Sequence, residues 1–246
     1  MTTSADRPRR AWRNLFAASL LLNALILAAG ATHVVRKGGW AYLMVELGRR
    51  PMQFVPAPHQ VDQAAVYRQY PRGEVDVVFL GDSITAGTPY AEVFGPYKNR
   101  GIGGDTTEAV LARLEEVVRG RPDRVFLMVG TNDVARESST SEIAENYRRI
   151  LKRIKAESPG TKVFVQSVLP VNHAVLQTPV DRNPAIRELN GALGTLAGEE
   201  GATFIDLTGV LGDGGGSLKK ELTTDGLHLN LAGKLALCEA LRPYLK

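Results

Sequence analysis

The sequence predicts an α/β protein: a three-layer α/β/α sandwich on a five-stranded parallel sheet, preceded by an N-terminal transmembrane or signal helix. Three observations carry this. From residue 75 onward, short apolar runs alternate with amphipathic helical stretches, the pattern of a parallel sheet covered on both faces. The first three runs stop abruptly at Gly81-Asp82-Ser83, Gly103-Gly104 and Gly130-Thr131-Asn132-Asp133, as buried strands do when they deliver polar groups to a carboxyl edge. Residues 15–35 form an apolar block outside that alternation, broken only by Ser19, Asn23, Thr32 and His33.

That block is close to the ~20 residues needed to cross a bilayer, and an arginine-rich start precedes it. Ala29-Gly30-Ala31 offers a small-residue cleavage site, so secretion with cleavage near Ala31 competes with an uncleaved anchor. The length of the run, and the further apolar residues from Trp40 to Leu47, favour the anchor. The stronger basic cluster lies before the run, which predicts an inside N-terminus and an exported domain. This charge also decides against nucleic acid as a partner. Residues 1–50 hold eight basic against two acidic residues, whereas the remainder holds 22 against 24, so the formal +4 belongs to the N-terminal segment. With Cys238 the single cysteine, no internal disulfide framework exists. Domain organisation follows: a basic start and anchor or signal segment (1–36), a juxtamembrane connector (37–73) and the globular domain (74–246).

Pro51, Pro56 and Pro58 interrupt the connector, after which residues 60–70 can form a helix that packs on the domain. Strands are expected at 77–80, 97–102, 124–129, 162–168 and 202–207. Asp105-Thr106-Thr107-Glu108 has capping-box spacing before an apolar helical face at Val110, Leu111, Leu114, Val117 and Val118. Ser141 can cap a long helix whose Ile143, Tyr147, Ile150, Leu151 and Ile154 share a face. Residues 184–196 and 231–244 complete the helices, the last capped by Asn230. Right-handed connections make a flavodoxin-like sandwich the economical topology.

A serine after a strand is most often a turn residue or a helix cap. Ser83 gains weight from its company. Asp225 stands three positions before His228, close enough for its carboxylate to accept from Nδ1 and leave Nε2 as a base. His33 and His59 lack such a partner, and His173, after the fourth strand, is a candidate pocket residue, as is Asp82. An acyl-transfer serine also needs oxyanion donors. Gly104 offers a backbone N–H at a helix start, Asn132 a side-chain amide at the same sheet edge, and Ser83 its own N–H. Asp82, Asp105 and Asp133 do not form a metal motif, since no histidine or cysteine spacing supports one.

Together, G-D-S-I at 81–84, the glycine of G-I-G-G-D-T-T at 101–107, G-T-N-D at 130–133 and D-G-L-H at 225–228 resemble the SGNH (GDSL-type) hydrolases. The second block looks most like the platelet-activating-factor acetylhydrolase branch and related bacterial acyl esterases. The resemblance covers about residues 75–245. It implies Ser83 as nucleophile, His228 as base, Asp225 as its orienting acid, and Ser83, Gly104 and Asn132 as the oxyanion hole, with no metal or other cofactor. Relatives often carry a tryptophan where this chain has Thr88-Pro89-Tyr90, a difference expected to bear on the shape of the acyl pocket. The implied activity is hydrolysis of carboxylic esters, with short acyl or acetyl esters of sugars or lipids as substrates. A lysophospholipase or lipase, an envelope-polysaccharide O-acetyltransferase and a non-catalytic binding module are the alternatives. An α/β-hydrolase would need glycine where Thr85 stands, and a dinucleotide loop would need glycine at Thr106.

Overall fold

The computed structural model describes residues 18–19, 21–32, 55–69, 77–178 and 180–245. The chain divides into two units, 1–54 and 55–246. In the first, the described residues are helical and exposed. Among the described residues no helix is long and apolar enough to cross a membrane. The rest of the 15–35 block expected to do so, and the short helix expected near Trp40, lie outside the described residues.

The second unit begins with helix α1 (Pro58–Gln69). Proline at the first helical position loses nothing, because its missing N–H would have no intrahelical partner. Gln60, at the third, reaches back so that its Oε1 accepts from the Ala57 N–H at 2.8 Å, half of a capping box. Next come β1 (Val77–Gly81), α2 (Ser83–Ala86), α3 (Tyr90–Phe94), β2 (Lys98–Gly101), α4 (Thr107–Ala112), α5 (Glu115–Val118) and β3 (Arg124–Met128). The remainder is α6 (Thr131–Ala135), α7 (Thr140–Glu157), β4 (Lys162–Gln166), α8 (His173–Leu176), α9 (Asn183–Glu200), β5 (Thr203–Ile205), α10 (Thr208–Leu211) and α11 (Leu231–Leu241).

The described strands form one parallel sheet in the order β2-β1-β3-β4-β5, the flavodoxin-like order, with its topological switch between β1 and β3. Alternate strand residues serve opposite faces. Val78, Leu80, Val125, Leu127 and Val165 join the core under α4, α5, α7 and α9. Val77, Phe79, Phe126, Met128 and Phe164 join the core under α3, α10 and α11. On that second face a run of stacked rings crosses the sheet, with centroids 3.6 Å apart for Tyr90 and Phe79, 5.0 Å for Phe79 and Phe126, and 4.7 Å for Phe126 and Phe164. The fourth strand stops two residues short of its expected end. Beyond it, amide side chains replace strand neighbours: Asn190 bonds both the N–H and the C=O of Val168, and Asn183 does the same for Val171.

Two helix starts and the continuity of one helix differ from the sequence expectation. The cap of α4 is Thr106, which accepts from Ala109 N, because Asp105 is engaged elsewhere. The cap of α7 is Ser139, in a full capping box with Glu142, in place of Ser141. The single helix expected after residue 105 is broken at Arg113, whose guanidinium turns inward: Nε donates to Asp105 Oδ2 at 2.7 Å, and Nη2 to the carbonyls of Arg100 and Gly81 at 2.8 and 3.2 Å. Asn230 caps α11 as expected, accepting from Gly233 N.

Asp82 caps α2, accepting from Ile84 N at 3.0 Å, and is 1% exposed. Burial pushes its carboxyl up to about 7 from the ordinary 3.8, with the nearby Asp105 and Asp133 adding to the rise and the Ile84 N–H opposing it. A carboxyl whose pKa is raised by folding binds its proton more tightly in the folded chain. Its contribution is therefore complete below 3.8 and is lost as the pH rises through about 7. Asp82→Asn keeps the acceptor and removes the charge. Its unfolding free energy is expected to gain on the parent chain as pH rises from 4 to 8, reaching on the order of 1 kcal/mol or more. Urea titrations of both proteins across that range check this, and parallel pH profiles would contradict it.

Candidate active site

Ser83 opens α2 immediately beyond the carboxyl end of β1 and is half-buried. Its hydroxyl lies 3.0 Å from His228 Nε2. On the far side of the ring, Nδ1 lies 2.6 Å from Asp225 Oδ2. The other carboxylate oxygen of Asp225 accepts from the backbone N–H groups of His228 and Leu227 at 2.7 and 2.9 Å. Partial burial opposes its charge, but these bonds prevail and hold Asp225 down at about 2. It is thus ionised at neutral pH, and its bond to Nδ1 fixes the tautomer that leaves Nε2 as an acceptor toward Ser83.

The 223–228 loop is held from several sides. Thr223 Oγ1 donates to His228 O at 2.7 Å and accepts from Gly226 N at 2.9 Å. Gly226 has φ +83, and a Cβ there would lie 2.6 Å from both Asn172 O and Leu176 N, so only glycine fits. Gly226 O in turn accepts from Asn172 N at 2.7 Å. The segment carrying α8 therefore braces the Asp225–His228 loop. His173 sits in that segment with Nδ1 3.3 Å from Thr178 Oγ1, and among the described contacts it touches neither Ser83 nor His228.

The predicted oxyanion donors converge on the same sheet edge. A Cβ placed on Gly103 would stand 4.0 Å from Ser83 Cβ, so the Gly103-Gly104 turn passes beside the serine. Gly104 adopts φ +79, open to glycine at no steric cost. Asn132 lies just beyond β3, at the start of α6, and one hydrogen of its amide goes to Asp105 O at 2.8 Å. A carboxamide has two such hydrogens, so one is left to aim elsewhere. Asp82, expected on the pocket wall, is buried under the site as the α2 cap. Thr88 and Tyr90 are also buried, at 2% and 1% exposure, with Tyr90 stacked on Phe79 in the core.

Sequence reading missed Gln60 and the inward turn of Arg113, because their partners lie as far as 45 and 32 residues away, and it missed Thr223, whose partners lie within its own loop. Asp133 is also spoken for: its carboxylate accepts from the N–H and hydroxyl of Thr107, and burial raises its pKa against those bonds. Each of the three aspartates at this edge thus serves a backbone or side-chain partner, and among the described residues no group of three His, Cys, Asp or Glu side chains could hold a metal ion.

Comparison with known proteins identifies the family. Residues 79–236 match the model of the GDSL-like Lipase/Acylhydrolase family. Platelet-activating factor acetylhydrolase IB subunit alpha1 from Bos taurus is 32% identical over 181 residues, covering 70% of this chain and 75% of that protein. A solved structure from Streptococcus pneumoniae, provisionally described as a platelet activating factor, superimposes with TM-score 0.72 at 34% identity over 76% of this chain and 93% of that one. One from Bacteroides fragilis, provisionally described as an acylhydrolase, gives TM-score 0.64 at 26% identity over 73% and 93%. The protein is a carboxylic ester hydrolase, and the chain belongs to the GDSL-like lipase/acylhydrolase family.

Proposed function

We propose that the protein is a serine esterase that removes short acyl groups, chiefly acetyl, from sugar or lipid esters through Ser83, His228 and Asp225. The observation that carries this is the continuous chain from hydroxyl to imidazole to carboxylate, at 3.0 and 2.6 Å. Ser83 Oγ attacks the ester carbonyl while His228 Nε2 takes its proton. The ionised Asp225 stabilises the imidazolium that forms and keeps the ring in orientation. Charge developing on the carbonyl oxygen meets the N–H groups of Ser83 and Gly104 and the free amide hydrogen of Asn132. His228 returns its proton to the departing alcohol, then activates water to release the acid and regenerate Ser83. The preference for acetyl is supported by the acetylhydrolases among the relatives.

The same reading puts the enzyme at a membrane through residues 15–35, with the 74–246 domain on the exported side. This rests on the sequence pattern of a basic start and apolar block. The full chain, expressed in a bacterium, is expected to sediment with membranes and resist alkaline carbonate, whereas a chain lacking residues 1–36 stays in the supernatant. Full-length protein in the supernatant would count against attachment.

The catalytic reading is tested with p-nitrophenyl esters of graded chain length. Ser83→Ala is expected to lower kcat by about 10⁴-fold or more and Asp225→Asn by about 10⁴-fold, with the folded state retained, and the parent's kcat/KM should fall steeply beyond short chains. Full activity in Ser83→Ala would refute the mechanism. Activity that persists to long chains would overturn the acetyl assignment and point to lysophospholipids or other lipid esters.

A further inference from the structure

We infer that α1, which precedes the segment matched by the family model, is a clamp on the oxyanion turn, and that His59 and Gln60 are positioning residues for the reaction. The inference rests on the reading of Gly104 and Asn132 as oxyanion donors and adds what holds them.

His59 Nε2 lies 3.0 Å from Gly103 O. A carbonyl can only accept, so the imidazole donates, and this fixes Nε2 as the protonated nitrogen. Gly103 C=O and Gly104 N–H belong to one peptide unit, which is planar and trans, so the two bonds point in opposite directions across the same plane. Holding the oxygen from outside therefore aims the N–H inward. A donor on the carbonyl also polarises the unit, making the N–H a stronger donor at the moment charge develops. The need for such a hold is local. Glycines 103 and 104 adjoin in a turn where Gly104 stands at φ +79, and glycine backbones have many competing conformations.

Gln60, the next residue, holds the second donor through one intermediary. Its Nε2 donates to Asp105 Oδ1 at 2.8 Å, while Asp105 O accepts from Asn132 Nδ2 at 2.8 Å. With Oε1 bonded to Ala57 N, the amide of Gln60 also pins the helix start to the turn it grips. Farther along α1, Tyr67 OH donates to Gly101 O at 3.0 Å and its ring lies under Arg100, 4.4 Å from the guanidinium carbon. The helix is thus fastened to residues 100–105 at both ends. Burial separates the two roles. Gln60 is 5% exposed and contributes to folding as well, whereas His59 is exposed and can be replaced without opening the core.

The test uses the full chain with p-nitrophenyl acetate, comparing His59→Leu, His59→Gln and Ser83→Ala with the parent, each with its melting temperature. An interaction felt chiefly in the transition state lowers kcat and kcat/KM together and leaves KM in place. His59→Leu is expected to lose about tenfold or more in kcat, less than the removal of an oxyanion donor outright, with KM and melting temperature near those of the parent. His59→Gln, whose Nε2 can reach the same carbonyl, should recover most of the loss. Parent-like kcat in His59→Leu would overturn the inference. So would a loss that follows the unfolded fraction, or a His59→Gln protein as slow as the leucine variant. If Ser83→Ala kept its activity, the underlying reading would fail instead, so the two failures are separable.

Discussion

The buried ion pair between Arg113 and Asp105, with side chains 7% and 1% exposed, is the interaction on which the sheet edge depends. Its guanidinium gathers the carbonyls of Gly81 and Arg100, the carboxyl ends of β1 and β2, and binds them to the turn that follows β2. Asp105 adds two further ties to its bond with Arg113: Oδ1 accepts from Gln60, and its backbone oxygen accepts from Asn132. Burial favours the neutral form of this carboxyl, while Arg113 and Gln60 favour the charged one. Removing either partner of such a pair strands a charge in the interior, at a cost of about 3–5 kcal/mol. The pair therefore serves register as well as stability, since Ser83 lies two residues beyond Gly81 and the Gly103-Gly104 turn directly before Asp105.

The topology explains why one residue can coordinate so much. In the order β2-β1-β3-β4-β5 all strands run the same way, but the direction in which successive strands are added reverses at β1 and β3, which leaves a crevice outside their carboxyl ends. Ser83 enters it from β1, Gly104 from beyond β2 and Asn132 from beyond β3. His228 arrives from much later in the chain, on a loop braced by Thr223 and by the Asn172–Gly226 contact. The strand layer is packed on both faces, with stacked rings on one and aliphatic side chains on the other. Side chains on the short loops beyond it are then held on a fixed base.

The strands, their order of appearance and the four polar blocks were legible because their signals are local: apolar runs ended by glycine, and an aspartate three residues before a histidine. What escaped reading depends on partners distant in sequence. Asp105-x-x-Glu108 looks like a capping box, yet Arg113 and Gln60 claim the aspartate and Thr106 caps in its place. Ser139 and Glu142 have genuine capping-box spacing two residues before the serine that was favoured, so this start was available in the sequence. Tyr90, next to a proline, gives no local sign that it will stack on Phe79. His59 and Gln60 meet their partners 44 and 45 residues away, and no periodicity within a proline-rich connector could announce it.

The most direct test of the account is whether Ser83 alone becomes covalently modified by a serine-reactive fluorophosphonate. Peptide mass spectrometry of the labelled parent chain should place a single adduct on Ser83, with labelling abolished in Ser83→Ala and strongly slowed in His228→Ala. An adduct on another residue, or labelling undiminished when His228 is removed, would contradict the assignment of nucleophile and base.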